Sequence, residues 1–157
     1  MQLIFIRHAQ SENNVIGASG ASASQFEQLR SHDADLSQLG KNQAVELGSG
    51  VARALAKPLS HKMRLQPKTV RNVCLSISPM KRTLLTAQPV VQALEQLNIN
   101  GTINLAKVEI VPHIFENGGC YSEHNGVFIG KPGMSKSDML DYIPNAHVSD
   151  SLEKGWW

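Results

Sequence analysis

Val73-Cys74-Leu75-Ser76-Ile77-Ser78-Pro79-Met80-Lys81-Arg82-Thr83-Leu84-Leu85-Thr86-Ala87 is the stretch on which the fold turns. Its first five residues form a short, largely apolar run, the pattern of a strand buried in a parallel sheet. Ser78-Pro79 stops that run. Residues 82–97 then carry Leu84, Leu85, Val90, Val91, Leu94 and Leu97 at helical spacing. Pro89 falls inside this stripe and is expected to kink the helix or restart it, because proline removes a backbone donor and crowds the preceding turn.

The same strand-then-helix grammar extends outward. Upstream, Leu3-Ile4-Phe5-Ile6 is a second buried-strand candidate, and it ends abruptly in Arg7-His8. Residues 17–24 (GASGASAS) read as a loop. Leu36, Leu39, Ala44, Leu47, Val51 and Leu55 recur at helical spacing, with Ser37 as cap and Pro58 just beyond the end. Gly48 and Gly50 weaken this helix. Residues 61–71 form a basic connection that reads as a solvated loop. Downstream, Val108-Glu109-Ile110-Val111 is a third short strand. Asn117-Gly118-Gly119, Asn125-Gly126 and Lys131-Pro132-Gly133 are turn chemistry, so that region reads as loop-rich. A last helix spans residues 135–142. The order strand, helix, strand, helix, strand predicts an α/β domain with parallel strands and right-handed crossovers. No internal repeat is visible, and residues 1–157 read as one domain.

Composition narrows the function classes. Of 157 residues, 41% are hydrophobic and 18% charged, which describes a folded chain able to bury a core. A formal charge of +2 gives no argument for a nucleic-acid partner. The N-terminal apolar run is too short for a signal peptide, and no run spans a bilayer, so a cytoplasmic location without a membrane partner is the expectation. Cys74 and Cys120 form no CxxC pair. Cys74 reads as a core residue, and a disulfide between the two is left open. Asn100-Gly101-Thr102 matches a glycosylation acceptor but reads as a turn.

Ligands of open α/β sheets bind at the carboxyl ends of strands. The first strand delivers Arg7-His8 to that edge, the second leads into Arg82, and the third is followed by Glu116. Two guanidiniums, a histidine and a carboxylate describe an anion site with acid–base equipment. Ser37 is read as a helix cap. His113, Glu116, Glu123 and His124 lack compact metal-ligand spacing. Lys131-Pro132-Gly133-Met134-Ser135 lacks the glycine spacing of a phosphate-binding P-loop.

Four segments carry a residue-level resemblance. Arg7-His8-Ala9-Gln10-Ser11-Glu12-Asn13-Asn14 is similar to the RHGESxxN signature of the histidine phosphatase superfamily. Leu36-Ser37-Gln38-Leu39-Gly40-Lys41-Asn42-Gln43-Ala44 resembles that family's LTxxGxxQA helix start. Residues 78–87 resemble its SPxxRTxxTA segment. Glu116 with Gly118-Gly119 looks like its acidic loop. The resemblance covers roughly residues 1–130 and keeps the family's order. It departs at Ala9, where glycine is usual, and at Gln10, where glutamate is usual. A second catalytic histidine on a VSHG-like segment has no counterpart here.

The resemblance implies a three-layer αβα fold of the phosphoglycerate mutase-like kind, with a mostly parallel central sheet. With no VSHG-like segment, the domain is expected to be partial, incomplete at its C-terminus. Trp156 and Trp157 then read as core residues. The implied activity is hydrolysis or transfer of a phosphomonoester through a phosphohistidine on His8. Arg7, Arg82 and Asn14 would bind phosphate, and Glu116 would act as general acid and base. The resemblance implies no metal and no cofactor, and a small phosphorylated substrate as partner. A non-catalytic phosphate-binding or interaction domain, or an inactive fragment, is the alternative that the absent histidine leaves open. Substrate identity and oligomeric state are not legible.

Overall fold

The structure, a computed structural model, describes residues 2–57, 70–116 and 119–156. The basic connection expected at residues 61–71 therefore lies mostly outside the described residues, as do Pro58, Asn117-Gly118 and Trp157.

Strand β1 (Arg71–Ile77) alternates. Val73, Leu75 and Ile77 face inward, while Asn72, Cys74 and Ser76 are exposed. It pairs in parallel with β2 (Ile103–Ile110), which in turn pairs in parallel with β5 (His147–Val148), giving the order β1-β2-β5. The register shifts between Val73 and Cys74, so that Val73 opposes Leu105 while Cys74 opposes Lys107. A bulge of this kind keeps Leu75 opposite Val108 and Ile77 opposite Ile110 on the buried face. Cys74 is thus an exposed residue rather than the expected core one, because it occupies the outward half of the alternation. Both cysteines are free.

The inward face is covered by α4 (Lys81–Ile99), which buries Leu84, Val90, Val91 and Leu94. Fully burying such a side chain is worth ~1.5–3 kcal/mol. Helix α4 runs unbroken through Pro89, so the expected restart is not observed. The packing that holds it is close. Helix α3 (Gln38–Ala56) crosses at Gly48, where a Cβ would stand 2.7 Å from the Pro89 carbonyl oxygen. The glycine that weakens α3 locally is what lets the two helices meet. Helix α5 (Lys136–Tyr142), the last helix expected from the sequence, buries Met139 in the same core and is capped by Ser135. Trp156 is buried there too, against Phe115 at a ring-centroid distance of 5.5 Å.

Three local expectations are corrected. Residues 3–6 form no strand. They lie beside β1, lining an apolar cavity of about 430 Å³ with Cys74, Leu75 and Ile77. Phe5 is 89% exposed. A continuous apolar run becomes a central strand only where both faces are covered, and here that cover is absent among the described residues. Second, half of the expected loop at residues 17–24 belongs to two short helices, α1 (Glu12–Ala18) and α2 (Ala23–Leu29), and only residues 19–22 connect them. Each starts with a capping box, Ser11 with Asn14 and Ser22 with Gln25. Third, the turn-rich stretch contains an antiparallel hairpin, β3 (Tyr121–His124) and β4 (Val127–Gly130). Asn125 and Gly126 connect it with φ of 52° and 79°, the left-handed pair that a two-residue hairpin turn demands. Among the described residues the architecture is mixed α/β with a three-stranded parallel sheet and five α-helices. No described helix is long and apolar enough to cross a membrane.

Candidate functional site

With no strand at residues 3–6, His8 is positioned by side chains reaching in from the other motifs. The Ala9 N–H donates to Thr86 Oγ1 at 3.0 Å, and that hydroxyl donates to the Arg82 carbonyl at 2.7 Å. The Gln10 N–H donates to Gln43 Oε1 at 3.0 Å. The Ser37 N–H donates to the Gln10 carbonyl at 3.0 Å, and the Ser37 hydroxyl donates to Gln10 Oε1 at 2.7 Å. That hydroxyl also accepts the Gly40 N–H at 3.0 Å, so Ser37 caps α3, as expected, and holds the histidine segment as well. Gly40 is buried against this segment. A Cβ there would stand 2.0 Å from the Gln10 carbonyl oxygen. The glutamine at position 10 accepts through its side-chain oxygen, a bond a carboxylate would make equally well. The histidine segment thus bonds directly to motif residues of both other segments.

His8 itself is half-buried. Its Nδ1 lies 2.7 Å from the Ala9 carbonyl oxygen. A carbonyl only accepts, so Nδ1 carries the hydrogen and Nε2 is left with a free lone pair. The His8 pKa lies below its ordinary value of 6.5. Burial is the main cause; the Ala9 bond opposes it, Arg82 and Arg7 push further down, and Glu116 pushes up. Neutral imidazole is thereby the favoured form near pH 7.

Arg82 opens α4 and is nearly enclosed, its side chain 7% exposed. Its Nη2 donates to Glu116 Oε2 at 2.6 Å and lies 3.0 Å from the Met80 sulfur. The cation opposes the α4 dipole. Asp33 offsets this by accepting the Lys81 N–H at 2.9 Å, in place of a cap from Met80. Burial raises the Asp33 pKa, against the Lys81 bond and the charge of Arg82. Lys81 also pairs with Asp35 at 2.9 Å. Glu116 is 71% exposed and follows Phe115, whose ring packs on Trp156.

His8, Asn14, Arg82 and Glu116 line one polar cavity of about 180 Å³, together with Ser11, Arg30 and Tyr121. Asn14 accepts from both the N–H and the hydroxyl of Ser11 through Oδ1, each at 3.0 Å. Its amide N–H groups are the part suited to an anion. Arg7 is exposed and lines an adjoining opening of about 290 Å³ that shares His8, Arg82 and Glu116. The five residues singled out in the sequence therefore gather around His8, with Arg7 on a different side from Asn14.

Arg30 was not singled out by sequence, although it lines the cavity. Its only sequence signal is a lone arginine after a polar helix. Thr86 and Gln43 stand in recognised motifs, but only the geometry gives them a task. His113, Glu116, Glu123 and His124 do not assemble: among the described residues no group of three or more His, Cys, Asp or Glu is placed to hold a metal ion. Cys120 lies fully buried near the cavity, its thiol pushed up to about 12, chiefly by burial. No protein-family model, no curated protein and no solved structure matches this chain.

Proposed function

We propose that this chain carries the phosphoryl-transfer centre of a histidine phosphatase of the phosphoglycerate mutase-like kind. The observation that carries the proposal is the convergence of His8, Arg82, Asn14 and Glu116 on one small polar cavity. In this reading Nε2 of His8 attacks phosphorus in line with the ester oxygen. The P–N bond forms as the P–O bond breaks, and Glu116 gives its proton to the departing alkoxide. Water then attacks the phosphohistidine, Glu116 takes its proton, and orthophosphate leaves with His8 restored. In a mutase the acceptor would be a substrate hydroxyl instead. Arg82 and Arg7 hold the equatorial oxygens, and Asn14 donates to them. Preorganised donors of this kind are each worth ~2.7–4 kcal/mol in the transition state.

The ion pair between Arg82 and Glu116 gives this scheme a first step. An arriving phosphomonoester monoanion competes for the guanidinium and gives its own proton to the freed carboxylate, which then passes that proton to the departing oxygen. The Nδ1 bond to Ala9 supports the nucleophile assignment, because it fixes the tautomer that exposes Nε2. The expected substrate is a small phosphorylated molecule in a cytoplasmic setting, with no cofactor.

A second reading has one observation in its favour. Among the described residues no histidine besides His8 lines the cavity. That would suit a domain that binds phosphate without turning it over. Assay with p-nitrophenyl phosphate in EDTA separates the two. Turnover that vanishes in His8→Ala supports catalysis. Orthophosphate binding by calorimetry without turnover supports the binding domain.

A further inference from the structure

His8 also lines the apolar cavity of about 430 Å³, which the scheme above leaves unused. Its walls come from residues 3–6, from Leu47 on α3, Leu75 and Ile77 on β1, and Val90 on α4. No Asp, Glu, Lys or Arg is among its lining residues. A charged occupant would lose its hydration there with nothing to replace it. The opening beside Arg7 joins this cavity to the anion site. It shares Ile6, Ser78, Thr83 and Ile114 with the apolar cavity and Arg82 and Glu116 with the polar one, and His8 belongs to all three. Hydrocarbon space and anion site are therefore contiguous around one imidazole. Leu3, Ile4 and Phe5 are 68%, 64% and 89% exposed, so much of this apolar wall faces water until something covers it. The volume falls in the range of small-molecule sites and takes an alkyl chain of about eight carbons with room to spare.

We propose that this cavity receives the hydrocarbon part of the substrate. The preferred substrate is then a phosphomonoester of an apolar alcohol, its phosphoryl group beside His8 and Arg82 and its hydrocarbon against residues 3–6. The P–O bond breaks as the P–N bond to His8 forms, and the alcohol leaves with the proton that Glu116 supplies. This rests on the phosphoryl-transfer reading for the anion, while the hydrocarbon subsite is argued from the apolar cavity alone.

The test uses ethyl, butyl, hexyl and octyl phosphate, each below its micelle concentration. In the wild-type chain kcat/KM is expected to rise ~3- to 4-fold for each added methylene, the worth of its burial. Cys74→Phe fills the cavity from β1 and should flatten the series while leaving ethyl phosphate within about threefold, whereas Cys74→Ser should keep the slope. A flat series in the wild-type chain overturns the proposal. A second readout needs no turnover. Cys74 is exposed and lines the cavity, while the Cys120 thiol is fully buried and pushed up to about 12, so N-ethylmaleimide labels Cys74 alone. Saturating 1-octanol should slow that labelling ~10-fold by covering the thiol, and ethanol at the same concentration should leave it unchanged. Octanol protection with no turnover of any ester removes the catalytic reading and supports the cavity. Turnover with neither chain-length dependence nor protection does the reverse. Chain-length dependence without octanol protection puts the hydrocarbon elsewhere and overturns the proposal. Labelling that slows as protein concentration rises, with no ligand added, shows a second copy in the cavity and overturns it too. Labelling is read on the wild-type chain, so it decides the matter even where Cys74→Phe fails to fold.

Discussion

Substituting Gly40 by alanine should damage both stability and activity, although alanine is the better helix former. At this position the added Cβ would stand 2.0 Å from the Gln10 carbonyl oxygen. That is about 1 Å inside the closest approach real Cβ atoms make in a packed interior. Relief requires the segment from His8 to Ser11 to move away from α3. The Ser37 N–H bond to Gln10, at 3.0 Å, is the first to stretch. Overpacking costs ~1–3 kcal/mol, and the stretched bond adds ~1 kcal/mol. The propensity gain of Gly to Ala offsets at most ~1 kcal/mol. The net loss is ~1–3 kcal/mol, or ~2–4 °C in Tm for each kcal/mol in a domain of this size. The displaced segment carries His8, and a shift of ~1 Å at a reacting group can cost ~100-fold in rate. Gly50→Ala is the control in the same helix, since its Cβ would meet nothing closer than the Arg53 guanidinium at 4.0 Å. It should stabilise by ~0.5–1 kcal/mol and leave turnover unchanged. Urea denaturation and p-nitrophenyl phosphate turnover read both variants. If Gly40→Ala proves as stable and as active as Gly50→Ala, the account of how α3 holds the histidine segment is wrong.

Other outcomes follow from the same contacts. Thr86→Val should cost ~1–3 kcal/mol by stranding the Ala9 N–H, with Thr86→Ser largely neutral; equal urea midpoints for Thr86→Val and wild type would remove this tether from the argument. Glu116→Gln should slow hydrolysis of an alkyl phosphate by ~100-fold or more and that of p-nitrophenyl phosphate far less, because only the poor leaving group needs its proton; equal losses on both would show that Glu116 is no general acid. His8 has a folded pKa below 6.5, so the unfolded chain binds more protons as pH falls below 6.5. Stability should therefore drop in that window, a drop that His8→Gln abolishes, while above 6.5 the contribution vanishes. An NMR titration placing the His8 midpoint above 6.5 would contradict this.

How far sequence carried depended on the range of the physics. Ser37 was legible as a cap because a cap is a local bond between near neighbours. The strand at Ile77 and the helix after it were legible from periodicity, and so was the placement of Arg82 at their junction. The apolar run at residues 3–6 misled because its reading as a strand assumes cover on both faces, which local sequence does not report. Cys74 misled for the related reason that alternation along β1 decides which side it takes. Asn125-Gly126 already held the hairpin signal between two runs able to form strands, and reading it as a turn alone stopped one step short. Arg30 was invisible because Tyr121 and Glu27 hold it at the cavity, and no linear pattern announces a cation stacked on a distant ring.

The central claim is that His8 receives the phosphoryl group, and trapping that adduct tests it most directly. The chain is mixed with acetyl phosphate, quenched in alkali to preserve phosphoramidates, digested with trypsin and mapped by mass spectrometry. The account predicts an acid-labile phosphoryl group on the peptide that begins at His8, absent when His8 is replaced by alanine. Label on another residue, or turnover that persists in His8→Ala, would contradict it.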